Sequence, residues 1–378
     1  MISPGFWHGK TVLITGHTGF KGAWLSLWLQ RLGARVVGYA LSPPTSPSLF
    51  ALAGVEEGMT SHLGDIRDLE RLTQVLREER PDIVLHLAAQ ALVRRSYEDP
   101  LSTYAVNVMG TVNVLEAARH CDSLRAIVVV TSDKCYDNQD SLWGYRETDA
   151  MGGFDPYSSS KGCAELVAAA YRASYLASPR DGRSPIALAT ARAGNVIGGG
   201  DWAADRLIPD VIRAFLAQQP VILRNPQAVR PWQHVLEPLR GYLILAERLW
   251  QEGAAVAEGW NFGPVAGSEA TVGQVVETLA RRWGEGAHWD IDSSDHPHEA
   301  HQLRLDIAKA RVKLGWQPVW DLERTLAETI AWYQAFARRE DLRHLCGEQI
   351  AAYERESLYQ SGAEKTAETQ TNIMGRSS

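Results

Sequence analysis

Tyr157 and Lys161 stand four residues apart in Asp155-Pro156-Tyr157-Ser158-Ser159-Ser160-Lys161, so on a helix entered at Pro156 the phenol and the ammonium share a face. A phenol beside a cation is a usable base, because the cation favours the phenolate and lowers a pKa that is about 10 in water. The spacing alone decides little. With twelve Tyr in the chain, a Tyr followed by Lys at that distance arises by chance in roughly one such sequence in five. A second group raises its weight. Thr131-Ser132-Asp133-Lys134 follows an almost wholly apolar run, residues 124–131, and so places polar side chains at a strand's carboxyl end, where ligands bind in doubly wound sheets. Together the two groups read as redox chemistry on an alcohol: Tyr157 takes the hydroxyl proton while a nicotinamide takes hydride, and Ser132 shares the hydrogen bond.

Such a site needs a frame that brings residues 131–134 and 157–161 to one edge. Residues 10–15 form a short apolar run that ends in Gly16-His17-Thr18-Gly19-Phe20-Lys21-Gly22; an amphipathic segment and a second buried run, 34–40, complete a βαβ unit. A third strand is expected to end before Gly64, a helix to cover 69–79, a fourth strand 81–88, a long helix 103–119, and a sixth strand 186–192. This alternation predicts an α/β fold, a Rossmann-like doubly wound parallel sheet with right-handed crossovers. After about Ile197 the regularity breaks into short strands (220–224, 260–262) and helices (207–218, 235–251, 271–283), which read as a smaller mixed α/β C-terminal substrate lobe. The expected division is 1–196 for the NAD-binding domain with the Tyr and Lys, 197–345 mainly for the lobe with some segments returning to the first domain, and 346–378 for a C-terminal extension. Its last part, from Ser361, is polar without apolar periodicity and reads as a disordered tail or partly vector-derived.

Gly16, Gly19 and Gly22 have GxxGxxG spacing, which lets backbone approach a pyrophosphate at the positive end of the next helix. Thr18, Phe20 and Lys21 belong to the same turn. Where an acid would bind the ribose of NAD the chain has Tyr39-Ala40-Leu41-Ser42, with neither an acid nor a base for a 2′-phosphate, so NAD is favoured over NADP only modestly. Asp65 and Ile66 are placed to bracket an adenine, although an Asp capping the next helix fits the spacing equally well. Ala88, Ala89 and Gln90 end the fourth strand with small residues that suit a backbone lying against a cofactor, or simply close packing. In the second half Arg192, Asn195, Arg206, Arg230 and His234 are candidates for a phosphorylated ligand, since the guanidinium fork pairs two oxygens at once. Arg230-Pro231-Trp232-Gln233-His234 adds an aromatic face for a base.

At 378 residues with 45% hydrophobic and 22% charged residues, the chain suits a globular protein with a large core. A net charge of −7 argues against binding nucleic acid by neutralising phosphates. Cys121, Cys135, Cys163 and Cys346 have no CxxC spacing, so no metal is expected and the cysteines read as reduced. No leader and no membrane span is expected, which makes the cytoplasm the default. Among the thirteen tryptophans several are expected in the core.

These residues resemble the extended short-chain dehydrogenase/reductase family over about residues 10–332, on Gly16-x-x-Gly19-x-x-Gly22, Asp65-Ile66, Ala88-Ala89, Asn107, Ser132, Tyr157-x-x-x-Lys161 and Arg192-Ala-Gly-Asn195. Within it the chain looks like the sugar-nucleotide 4,6-dehydratases. Gly16-His-Thr-Gly-Phe-Lys-Gly22, Thr131-Ser-Asp-Lys-Cys-Tyr136, Gly198-Gly-Gly-Asp-Trp202 and Arg230-Pro-Trp-Gln-His-Val235 narrow the likeness to the branch acting on CDP-glucose. The resemblance implies tightly held NAD, with Asn107 among its contacts, oxidation at sugar carbon 4 by Tyr157, Ser132 and Lys161, loss of water across carbons 5 and 6, and hydride return to carbon 6. It implies Asp133 as the acid for the leaving hydroxyl. Lys134 occupies the position where most relatives carry a Glu base, and it serves as a base only if burial or a neighbouring cation lowers its pKa; otherwise it stabilises the enolate. A homodimer or tetramer is implied, joined through helix 103–119 and the Tyr157 helix. Two other readings stay open: a 4-epimerase, which has no use for Asp133 and Lys134, and a non-catalytic dinucleotide sensor, which has no use for Tyr157.

Overall fold

The structure, a computed structural model, describes residues 2–178, 184–264, 268–284, 286–292 and 303–374. Side chains are described as far as residue 360.

Apolar runs bounded by turn residues become the strands β1 (Thr11–Thr15), β2 (Arg35–Ala40), β3 (Met59–Leu63), β4 (Ile83–His86), β5 (Ala126–Val130) and β6 (Ala187–Arg192). A seventh, β7 (Gly259–Asn261), closes one edge, and all seven are parallel in the order β7-β6-β5-β4-β1-β2-β3. Alternation along each strand feeds two cores. Val12, Ile14, Val128 and Val130 face one cluster, with Trp24, Trp28 and Trp260, while Leu13, Ile127 and Val129 face the other. Trp7, Trp24, Trp28, Trp260, Trp316 and Trp332 are all fully buried, as the tryptophan count led one to expect.

The strand order turns around between β1 and β4, which opens a crevice at their carboxyl ends. Helix α1 (Phe20–Arg31) leaves β1 there. The long helix expected at 103–119 is interrupted: Pro100–Tyr104 runs into a π-turn at Ala105–Met109 and then into α2 (Gly110–Ala118). Helix α3 (Pro156–Tyr171) starts where Pro156 predicts, with Asp155 capping it by accepting from the Ser158 amide at 2.9 Å.

Beyond β6 three small strand pairs (Val196–Ile197 with Gln233–His234, Val221–Leu223 with Trp289–Ile291, Val229–Pro231 with Glu269–Thr271) form the lobe. The segments that return to the sheet are α4 (Leu236–Glu252), packed on β5 and β6, and β7, paired with β6. The polar end differs from expectation. Helix α5 spans Leu342–Met374, so the stretch after Ser361 continues a helix, as its Ala, Glu, Lys and Gln content permits without any apolar stripe; residues 375–378 lie outside the described residues. Near its start α5 packs on α1, where the Trp28 indole donates to Glu354 at 2.8 Å.

Candidate active site

The glycine turn fits a dinucleotide cradle. Gly16 has φ +79°, and a Cβ on Gly22 would lie 2.1 Å from the Gly16 carbonyl, so only glycine closes the turn so tightly. A Cβ on Gly19 would touch the Gly16 carbonyl at 3.4 Å, and α1 begins there with no side-chain cap and no acid in its first turn, leaving backbone N–H groups for an anion. Phe20 and Lys21 open that helix. Thr18 ties the turn to the end of β2 by donating to the Leu41 carbonyl at 2.9 Å. A Cβ on Gly16 would lie 2.8 Å from the Ala88 amide, so Ala88 and Ala89 stand against the same crevice. Asp65 is held by Arg67, whose side-chain hydrogen bonds keep its carboxyl below the usual range, and Ile66 is buried over Gly110. Asn107, in the π-turn, binds the Gln90 backbone at 2.8 and 3.0 Å and donates to the Ser160 hydroxyl at 2.9 Å. It locks the loop after β4 to α3.

Ser132 and Asp133 leave β5 in extended backbone and a short 3₁₀ turn, Asp133–Cys135, and are 6% and 5% exposed. Ser132 Oγ donates to Asp133 Oδ1 at 2.8 Å, and Ser132 is close enough to the Tyr157 phenol to lower its pKa. Gly194 makes room for this carboxylate, since a Cβ there would overlap Asp133 Oδ2 at 1.8 Å. Lys134 is partly exposed beside it. Tyr157 departs from expectation: burial pushes its phenol up to about 12, the Ser132 hydroxyl and the Arg206 charge pull it down, and Asp133 and Asp155 push it up. Desolvation therefore outweighs the cation in the protein alone. Lys161, pushed down to about 8 by burial, donates to the Val130 carbonyl at 3.4 Å.

The second-half candidates separate into two groups. Arg206 reaches the catalytic cluster, held by Asp201 at 2.9 Å. Asn195, at φ +49°, turns the chain just after the glycine that accommodates Asp133. Arg192 does not reach it. It is buried, forks onto Glu165 at 2.9 Å through two nitrogens, and donates to the Tyr136 hydroxyl at 2.6 Å. Trp232 donates to the Ala270 carbonyl from a buried position just after the strand Val229–Pro231, on which Arg230 lies, donating to the Val229 carbonyl at 3.1 Å. His234 is fully buried between Trp24 and Trp320, held down to about 3 by burial, with Nδ1 accepting from the Leu236 amide. Arg206 is therefore brought to the cluster, while Arg192, Trp232 and His234 are engaged in packing.

Two features were not anticipated. Glu165, one turn beyond Lys161, accepts from Thr190 at 2.6 Å, from Thr131 at 2.5 Å and from Arg192, so it clamps β5, β6 and α3 under the site. The spacing from Lys161 was its only signal. Lys21, expected only at the cofactor, also senses Asp133, Arg206 and Lys161, and burial together with Arg206 pushes it down to about 7.

Residues 13–329 match the family model described as GDP-mannose 4,6 dehydratase. The CDP-glucose 4,6-dehydratase of Salmonella typhimurium is 54% identical over 353 residues, 93% of this chain and 98% of that protein. The dTDP-glucose 4,6-dehydratase of Xanthomonas campestris is 29% identical over 85% of this chain and 93% of its own length. Among solved structures, MoeE5 in complex with UDP-glucuronic acid and NAD superposes with TM-score 0.70 at 26% identity, over 86% of this chain and 99% of that one.

Proposed function

This chain belongs to the GDP-mannose 4,6-dehydratase family, and on that premise we propose that it converts CDP-D-glucose to CDP-4-keto-6-deoxy-D-glucose and water, a lyase reaction that leaves NAD unconsumed. The observation that carries the reading is Asp133, buried, bound to Ser132 at 2.8 Å and close enough to Tyr157 to raise its pKa, which sets an acid for a leaving hydroxyl beside a base for an alcohol. An epimerase has no use for that acid.

NAD supplies the hydride acceptor and donor when bound. The Gly16 to Gly22 turn and the start of α1, with Thr18, Phe20 and Lys21, would hold its pyrophosphate; Asp65 and Ile66 its adenine; Ala88, Ala89, Gln90, Asn107, Tyr157 and Lys161 the nicotinamide end. Tyr157 accepts the proton of the carbon 4 hydroxyl, with Arg206 as the nearby cation that favours its phenolate and Lys161 one turn on along α3. The ketone at carbon 4 acidifies carbon 5. Lys134 acts at carbon 5, and Asp133 protonates the carbon 6 hydroxyl so that it departs as water. Arg206, Asn195 and Arg230 stand on the lobe side, where a diphosphate would be held. The exposed Leu101, Tyr104, Met109 and Leu166 on the 100–118 helical stretch and α3 support a homodimer through these elements. No helix among the described residues is long and apolar enough to cross a membrane, and the reaction is assigned to the cytoplasm.

Pure protein incubated with CDP-, UDP-, GDP- and dTDP-glucose tests the reading through formation of a 4-keto-6-deoxy product. Turnover of CDP-glucose is expected. Turnover of dTDP-glucose without CDP-glucose would overturn the base assignment.

A further inference from the structure

Five buried side chains, Thr15, His86, Thr111, Asn107 and Ser160, join the glycine turn to the Tyr157 helix, and each is at most 3% exposed. Thr15 Oγ1, one residue before Gly16, accepts from the Ala88 amide at 3.2 Å and shares the Leu87 amide with its own carbonyl at 3.1 Å. Its acceptor sites are filled, so its hydrogen goes to His86 Nδ1, 2.6 Å away. On the other side of the ring Thr111 Oγ1 spends its hydrogen on the Asn107 carbonyl at 2.7 Å, so it accepts from His86 Nε2 at 3.2 Å. Both ends demand the same tautomer, with the proton on Nε2. Burial and the charge of Lys161 hold the ring's titration down at about 3, so it is neutral at neutral pH. Asn107 continues the series: its Nδ2 donates to Ser160 Oγ at 2.9 Å, and Ser160 donates to the Tyr157 carbonyl at 2.7 Å.

We propose that His86 is a positioning residue: in its Nε2–H form it holds the π-turn at Asn107 against the end of β1, and so fixes where Tyr157 stands relative to the glycine turn. The inference deepens the dehydratase reading and rests on it for the step that is served, oxidation at carbon 4. The sheet needs no such help, because β1 and β4 are already in register with Thr15 opposite His86. The π-turn does, since Ala105–Met109 breaks the regular helical ladder in the stretch where Asn107 grips the Gln90 backbone. No proton has to travel. What the series supplies is distance, and a misplacement of about 1 Å at a reacting centre costs about a hundredfold in rate.

Thr111→Val keeps the side chain's shape and removes its hydroxyl, whereas Thr111→Ser keeps the hydroxyl. In single turnovers of NAD-saturated enzyme with CDP-glucose, the rise of reduced-nicotinamide absorbance should slow by about ten- to a hundredfold in Thr111→Val and by less than about threefold in Thr111→Ser, with the KM for CDP-glucose within about twofold in both. A Thr111→Val rate within about threefold of wild type, or a Thr111→Ser loss as large as that of Thr111→Val, overturns the inference. Nitrogen-15 spectra of histidine-labelled, cofactor-free protein give a readout that needs no turnover. One ring, identified by the movement of its signals in Thr111→Val, should show a protonated Nε2 and a bare Nδ1 from about pH 8 down to about pH 5. A protonated Nδ1, a ring that titrates in that range, or no signal that moves overturns it. Wild-type protein that forms no 4-keto product sinks the dehydratase reading instead, and the nitrogen spectra then decide the His86 arrangement by themselves.

Discussion

Ser132, Asp133, Tyr157 and Lys161 stand on a strand end and on a capped helix, whereas Arg206, Arg230, Trp232 and His234 stand on short strands and loops that lie against the sheet's open end. On the sheet side, spacing became geometry. The parallel register of β5 with β6 and the Asp155 cap bring the two motifs to one point. On the lobe side the same residue types divide between reaching the cluster and holding the core. A polar residue on a periodic element at a strand's carboxyl end has few directions to point, but one on an irregular loop has many.

The sharpest break of this comparison comes at the phenol. Tyr157→Phe keeps the ring's packing and removes only the hydroxyl, so unfolding should be almost unchanged while kcat falls by about 10² to 10⁴. A loss below tenfold in steady-state turnover would move the proton acceptor off the sheet side.

Glu165 and Arg192 test what lies under that side. Both are nearly fully buried as an ion pair, so Glu165→Ala strands a guanidinium and should cost about 3–5 kcal/mol in denaturant unfolding. Replacing both by methionine should restore most of the loss, because it removes the uncompensated charge. Equal destabilisation by the single and double variants would show that the pair's charge is not what matters.

Most of the sheet was legible because buried parallel strands are apolar runs with glycine or polar ends. Residues 260–262 were read as a lobe strand, whereas Gly259–Asn261 is the edge strand β7 of the main sheet, since a three-residue strand that follows α4 carries no helix-crossover signature of its own. Tyr157, Ser132 and Asp133 were legible from spacing. Arg192 and His234 were not, because an arginine or histidine in sequence does not disclose whether a carboxylate or two tryptophans wait for it: Glu165 comes from a different element, and Trp320 lies far along the chain. The sign of the Tyr157 shift also escaped, since spacing shows a lysine but not the desolvation that dominates the phenol.

Glu237, at the start of α4, gives a pH signature. It accepts from Tyr353 at 2.5 Å and from the Val319 and Trp320 amides, yet burial pushes its carboxyl up to about 7 from 4.5. The folded state then holds a proton that the unfolded state gives up. Its contribution to stability is full below about pH 4.5 and is lost as pH rises through 7. The unfolding free energy of wild type minus that of Glu237→Gln should decline by about 3 kcal/mol across that window and be flat above it. A difference that rises with pH would reverse the sign.

Arg206 is the lobe residue that crosses the divide. Arg206→Met removes the cation that pulls Tyr157 down, so the phenol's ultraviolet titration should rise and the oxidation step should slow by about tenfold at neutral pH, the cost of one unit in the base. An unchanged titration with a raised KM would instead make Arg206 a substrate contact alone.

The smallest effect is expected at His234, and it separates the two regions most directly. Its ring is held neutral, with its titration down at about 3, so neutral pH cannot make it a cation for a diphosphate. Its Nδ1 accepts from the Leu236 amide at 3.3 Å, at the start of α4, a role that the Asn side-chain oxygen can also fill. His234→Asn should therefore leave the KM for CDP-glucose within about twofold while costing about 1–3 kcal/mol of stability, through lost contact with Trp24 and Trp320. A KM raised more than tenfold at unchanged stability would place His234 in the cleft rather than in the core beneath it.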